Sequence, residues 1–271
     1  MDTYIGFDSA WTDKQKSSGA ICTVTMDGSK LHAFIPPRLA TFSEALEFIR
    51  SARTEGVTQL ALDQPTIVPN LSGSRPVEKV AGSVIGWMGG GVQPSNRGRT
   101  GMFCDASPIW KFLQTLNSVE DPEEARVARH GLYRMEVFPA LALASFDPGF
   151  FGRLAAPKYN PVIRKKFRLT DWKRVARAAA REAEIYQCAA VAEWCREAEA
   201  FGTPRKADQD RLDAILCLLI ALRWRLMPRE ASIMLGDLAN GYIVAPCSPQ
   251  VRERLQRAAQ QRSVKVDGRA R

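Results

Sequence analysis

Residues 57–65 read Val57-Thr58-Gln59-Leu60-Ala61-Leu62-Asp63-Gln64-Pro65. A compact apolar run of this length, stopped by a proline, predicts a strand covered on both faces with Asp63 at its carboxyl end. Just upstream, Thr41-Phe42-Ser43-Glu44 reads as a capped helix start. Apolar residues follow at Ala45, Leu46, Phe48, Ile49 and Ala52, and the helix ends near Gly56. A helix that feeds a buried strand is a crossover, and crossovers belong to sheets with helices packed on them. Further upstream, Ile5 and Phe7 alternate with Gly6 and Asp8, predicting a short strand with Asp8 near its end. A second strand spans Gly19 to Met26. Asp27-Gly28 signals a hairpin into a third strand around Leu31 to Ile35. The chain therefore opens with an antiparallel meander before the crossover.

Downstream, residues from Gln64 to about Asn117 show no clear period, and they include Gly89-Gly90-Gly91 and Asn96-Arg97-Gly98-Arg99. A segment this long within a compact domain is usually functional or mobile. The three glycines lack the Gly-Lys-Ser/Thr ending of a phosphate loop and read as a hinge. A strand is predicted from Tyr133 to Phe138, stopped by Pro139. Thr170-Asp171 caps a long alanine-rich helix reaching about Ala200. A second helix, Asp208 to Leu226, is acidic at its start and apolar nearly all round, and a hairpin spans Ile233 to Val244. The order β-β-β-α-β, insert, β-α-α-β-β predicts an α/β fold with a sheet of mixed direction. It forms one domain, residues 1–250 with an insert at 64–131, followed by a basic tail at 251–271.

Composition narrows the chemistry. With 271 residues, 45% of them hydrophobic and 25% charged, the chain is neither disordered, collagen-like nor a disulfide scaffold. Only His32 and His130 are available to a histidine zinc site or a Ser-His-Asp triad. Six cysteines without a C-x-x-C pair read as reduced, buried thiols. The amino terminus has no secretory pattern, and the longest apolar run, Ala214 to Leu222, falls short of the roughly 20 residues a membrane span needs. A soluble, cytoplasmic protein is expected. Of the net charge of +9, seven basic and two acidic residues lie between Arg252 and Arg271, so more than half sits in the tail. That tail reads as a frayed helix or disordered extension, with a basic arm for phosphates as the pointed alternative.

Four aspartates fall where buried elements meet an opening. Asp8 and Asp63 end their strands. Asp210 and Asp213 lie three apart, on one face of the last long helix. Three have an ordinary reading: Asp8 caps a turn at Ser9, Asp63 is a turn residue, and Asp210 with Asp208 suits a helix start, Asp208 as its N-cap. Asp213, just before Ala214-Ile215-Leu216 where the helix becomes apolar on most sides, is harder to dismiss. Gathered together they would repel, and a divalent cation relieves that; oxygen ligands favour Mg²⁺ or Mn²⁺ over Zn²⁺.

The run DQDRLDAILCLLIALRW resembles the last helix of RNase H-like nucleases of the Holliday-junction-resolvase type, with Asp210, Asp213 and Ala214 on its D-x-x-D-A motif. YIGFDSAW resembles the first strand of that superfamily, and its metal-bridging aspartate falls on Asp8. With LALDQP, YRMEVFPA and GYIVAP, the chain resembles the family called domain of unknown function 429, described as predicted RNase H-like nucleases, over roughly Tyr4 to Pro246. The resemblance implies a five-stranded sheet of order 3-2-1-4-5. It implies that Asp8 bridges two metal ions, with Asp63 on one and Asp213 with Asp210 on the other. Glu136 matches a strand-end glutamate of the family and is equally suited to pair with an arginine.

The function these features predict is hydrolysis of nucleic-acid phosphodiesters by a two-metal carboxylate site using Mg²⁺ or Mn²⁺. Arg97, Arg99, Arg164, Lys165, Lys166 and Arg168 are candidate phosphate contacts; as solvated basic loops they need no such role. Two alternatives stand beside it. One is an actin-like phosphotransferase, which shares the strand order but usually duplicates the unit and carries glycine-rich phosphate loops, whereas the early loop Ser9 to Lys16 has no glycine. The other is a nucleic-acid-binding protein that keeps the fold without turnover.

Overall fold

The computed structural model describes residues 1–14 and 18–268; Lys16 of the early loop and residues 269–271 of the basic tail lie outside the described residues. The meander forms as the alternation predicts. β1 (Asp2–Asp8) pairs antiparallel with β2 (Gly19–Asp27), and β2 with β3 (Lys30–Ala40). Gly28 turns the second hairpin with a φ of 59°, in the left-handed region that glycine enters without strain. β3 runs past the expected Ile35 to Ala40, through Pro36 and Pro37. An edge strand tolerates these because one side of its ladder has no neighbour to donate to.

Helix α1 (Phe42–Ala52) carries the chain across to β4 (Val57–Leu62), every residue of which is buried. Thr41 and Glu44 close a reciprocal capping box at its start. β4 lies parallel to β1, and β5 (Gly131–Glu136) lies parallel to β4, giving the order β3-β2-β1-β4-β5. One face of the sheet packs on α1 and on α3 (Pro108–Leu116), through Ile5, Phe7, Phe42, Leu60 and Phe112. The other face packs on α8 (Lys206–Leu226), in which every residue from Leu212 to Leu222 is buried.

Gly6 sets how closely α8 approaches. A Cβ there would lie 2.0 Å from the Ala214 carbonyl oxygen and 2.4 Å from the Leu218 nitrogen. Without a side chain at residue 6, the helix backbone rests directly on β1. The Cys22 thiol donates to the Ala214 carbonyl at 3.4 Å beside it. This contact carries Asp213 to the carboxyl end of β1.

Several expectations are corrected. Residues 64–117 are not irregular throughout: they contain α2 (Pro76–Trp87) and α3, each with proline in its first turn, where the missing N–H costs nothing. α4 (Pro122–Val127) and α5 (Pro139–Phe146) start the same way. The long alanine-rich helix is two, α6 (Leu169–Ile185) and α7 (Ala189–Glu199), broken where Gln187 turns left-handed at φ 56°. Asp171 does not cap α6; its carboxylate accepts the Lys158 N–H at 2.7 Å. α8 begins at Lys206 with Arg205 at the N-cap, and Asp208 reaches back to accept the Arg205 N–H at 2.8 Å. The terminal hairpin, β6 (Ser232–Asp237) with β7 (Gly241–Pro246), leads into α9 (Pro249–Gln260). Val251, Leu255, Ala258 and Ala259 of α9 are buried in a cluster with residues of α2 and the hairpin, so this stretch is neither frayed nor an extension. Among the described residues, no helix is long and apolar enough to cross a membrane.

Candidate functional site

The site stands at the carboxyl ends of the parallel strands, where open α/β sheets bind ligands. Asp8 is the last residue of β1 and Asp63 directly follows β4; the Asp63 N–H donates to the Phe7 carbonyl at 2.9 Å, which locks the two ends in step. From α8, Asp213 and Asp210 are both buried. The Tyr159 hydroxyl donates to Asp213 Oδ1 at 2.7 Å and the Gln209 amide to Oδ2 at 3.0 Å. The Lys206 ammonium, one turn back on the helix, pairs with Asp210.

Burial and neighbouring charge both act on these acids. Burial pushes the Asp8 carboxyl well above the usual aspartate range, and the charges of Asp213 and Asp63 push it further. Asp63 is raised by burial and then by Asp213 and Glu136. Burial pushes Asp213 up to about 6, against the lowering by the Tyr159 hydroxyl and by Lys206. Cys217, one helical turn beyond Asp213, is fully buried; burial raises its thiol, and Asp63, Asp8 and Asp213 each raise it more. Burial works to lower the Lys206 ammonium, but Asp8 and the bond to Asp210 raise it above the ordinary lysine value. Asp8, Asp210 and Lys206 line an open hollow of about 470 Å³, walled also by Trp11, Gln93 and Met102.

This donor set suits a hard divalent cation in chemistry: carboxylate oxygens whose mutual repulsion a cation would relieve. Gln209 adds a buried Oε1 with no hydrogen-bond partner, next to Asp213. In spacing the site is not a closed cage. Among the described residues, no group of three or more His, Cys, Asp or Glu side chains is already gathered for a metal. The oxygens of Asp213 and Asp210 are engaged by Tyr159, Gln209 and Lys206 instead.

Glu136 ends β5 in register with Leu62, but both its oxygens face Arg75, at 2.5 and 2.8 Å, and one also accepts the Thr66 N–H. Arg75 is itself buried and bonds Glu78 at 2.8 Å. Of the two pairings open to Glu136, the structure contains the one with arginine. The basic candidates divide in the same manner. Arg97 pairs with Asp105 and lies over the Trp110 ring, and Arg99 donates to the Pro94 carbonyl, so both serve the insert's own fold. Arg164, Lys165, Lys166 and Arg168 are exposed on the loop before α6, and Lys166 lines a groove that Tyr159 also lines.

Four neighbours of the acids carry no role in the sequence reading. Lys206 and Gln209 each precede an aspartate of α8 by four residues, and helical spacing alone places them on its face. Trp11 follows Asp8 by three residues. Tyr159 stands 54 residues from Asp213 in sequence, and no local pattern announces it.

The family described as "Protein of unknown function (DUF429)" matches residues 6–238, and the chain belongs to it. Comparisons with curated proteins and with solved structures return no match.

Proposed function

We propose that this member of the family hydrolyses phosphodiester bonds of nucleic acid with the help of divalent cations. The reading is carried by one observation: Asp8 and Asp63 end two adjacent strands locked in step, α8 packs against the same sheet face with Asp210 and Asp213 in its first turns, and Asp8 and Asp210 open together onto one hollow. In this reading Asp8, Asp63, Asp213 and Asp210 would hold Mg²⁺ or Mn²⁺, which when bound would supply Lewis acidity and charge stabilisation for phosphodiester hydrolysis. Tyr159 and Gln209 fix the rotamer of Asp213 by one hydrogen bond to each oxygen. Lys206 balances part of the negative charge before substrate arrives. Lys166, with Arg164, Lys165 and Arg168, offers cationic contacts to phosphates on the Tyr159 side. No histidine is needed as a general base.

The strand order is shared with actin-like phosphotransferases, but the described residues hold one five-stranded unit and a separate two-stranded hairpin, not two copies of the unit. The deciding experiment is cleavage of labelled single-stranded and duplex DNA and RNA with Mn²⁺, comparing the parent with Asp8→Asn. Metal-dependent cleavage by the parent and its loss in the folded variant are expected. Equal cleavage by both removes the site, and calorimetry detecting no metal binding favours a binding protein without turnover.

A further inference from the structure

Trp11 occupies the turn that leaves β1 and lines two hollows at once, one with Asp63 and Glu136 and the other with Asp8 and Lys206. Its ring meets buried Phe103 of the insert edge to face, with centroids 5.3 Å apart, so the indole is braced yet still partly exposed. A braced aromatic ring beside an acidic cluster offers a stacking face to a flat heterocycle. At Asp213, Tyr159 gives its hydroxyl to the carboxylate and also lines a groove of about 350 Å³. Lys158 and Lys166 line that groove with it, and no acidic residue does. Lys158 is bonded to the Gly89 carbonyl, so Lys166 is the cation placed to meet a phosphate.

We infer that the substrate is a single strand, one base of which stacks on Trp11 while its backbone crosses the acids toward Lys166. This rests on the proposed function for the identity of the ligand. A base within a duplex has both faces covered by its neighbours and cannot lie on an indole braced against Phe103 at the wall of a hollow. The hollow beside Asp8, about 470 Å³, lies within the usual range of small-ligand sites and suits a nucleotide splayed out of a stack.

The test measures binding apart from chemistry. Fluorescence anisotropy of a short labelled oligothymidylate, and of the same sequence locked in a hairpin duplex, is recorded with Ca²⁺ in place of Mn²⁺. The single strand should bind more tightly than the duplex. Trp11→Ala should weaken single-strand binding by about 5- to 150-fold, the ~1–3 kcal/mol of a base–aromatic stack, and Trp11→Phe should recover most of it. Lys166→Glu should weaken binding and flatten its salt dependence. Circular dichroism melts verify that each variant is folded. Equal affinity for duplex and single strand, or an unchanged affinity in Trp11→Ala, overturns the inference. Single-strand binding without cleavage in Mn²⁺ upholds it while removing the proposed hydrolysis, so the two fail separately.

Discussion

Asp213→Asn should make the metal-free protein more stable at neutral pH. Asp213 is buried, and its carboxyl rises from an unperturbed 3.8 to about 6. A carboxyl raised on folding favours the native state while it is protonated, below about pH 4, and that contribution is lost as the pH climbs through 6. At about 1.4 kcal/mol per unit, the loss by pH 8 is about 3 kcal/mol. Asparagine carries no charge to desolvate and still accepts the Tyr159 hydroxyl. Its amide can donate to the orphan Gln209 Oε1 once that amide turns over. For a chain of this size, 3 kcal/mol is about 6 °C in melting temperature. Thermal melts in chelator, from pH 4 to pH 8.5, should show the two proteins alike at the acid end and the variant about 6 °C ahead at the alkaline end. Mn²⁺ should reverse that order, by stabilising the parent more than the variant. A gap that ignores pH, or a variant that melts no higher than the parent at pH 8, refutes the claim that the acids strain the fold.

Two further substitutions address the surroundings of the acids. Arg75→Met strips Glu136 and Glu78 of their buried partner and should cost about 3–5 kcal/mol in urea denaturation; adding Glu136→Gln should recover part of that, because one uncompensated charge is gone. Tyr159→Phe removes the hydroxyl that lowers the Asp213 carboxyl, so the acid limb of any metal-dependent cleavage should move to higher pH in the pH–rate profile.

The sheet was legible because its signals are local. A two-faced apolar run after a capped helix, and Asp-Gly between alternating strands, point to a mixed α/β sheet, and the family resemblance supplies the order that sets β1 beside β4. With those strands adjacent and parallel, Asp8 and Asp63 must share an edge, and the helical spacing of Asp210 and Asp213 does the rest. Other features were hidden for physical reasons. The break between α6 and α7 falls at Tyr186-Gln187-Cys188, with neither glycine nor proline to mark it, and alanines continue on either side. α2 and α3 open on proline, which reads as a stop before it reads as a start. α9 buries Val251, Leu255, Ala258 and Ala259, a helical spacing in which half the residues are alanines that carry little hydrophobic signal. The partners of the acids are distant: Arg75 lies 61 residues from Glu136, and only the folded chain joins them.

An acidic cluster that works against folding requires a scaffold able to hold it, and α8 shows how. Its first turns carry Asp210 beside Lys206 and bury Asp213 where, without a cation, its charge is disfavoured. The following turns bury Leu216, Leu218, Leu219, Ile220 and Leu222 on several sides at once. At about 1.5–3 kcal/mol for each large aliphatic side chain taken from water, a few of these outweigh the roughly 3 kcal/mol lost at Asp213. The helix cannot relieve the acids by sliding, because the missing side chain at Gly6 seats its backbone on β1 and fixes its height. Nor can Asp213 turn away without abandoning the bonds from Tyr159 and Gln209. The repulsion is therefore held in place by apolar packing, and neutralising it falls to Lys206, paired with Asp210 in the first turn of the helix, and to whatever cation binds from solvent.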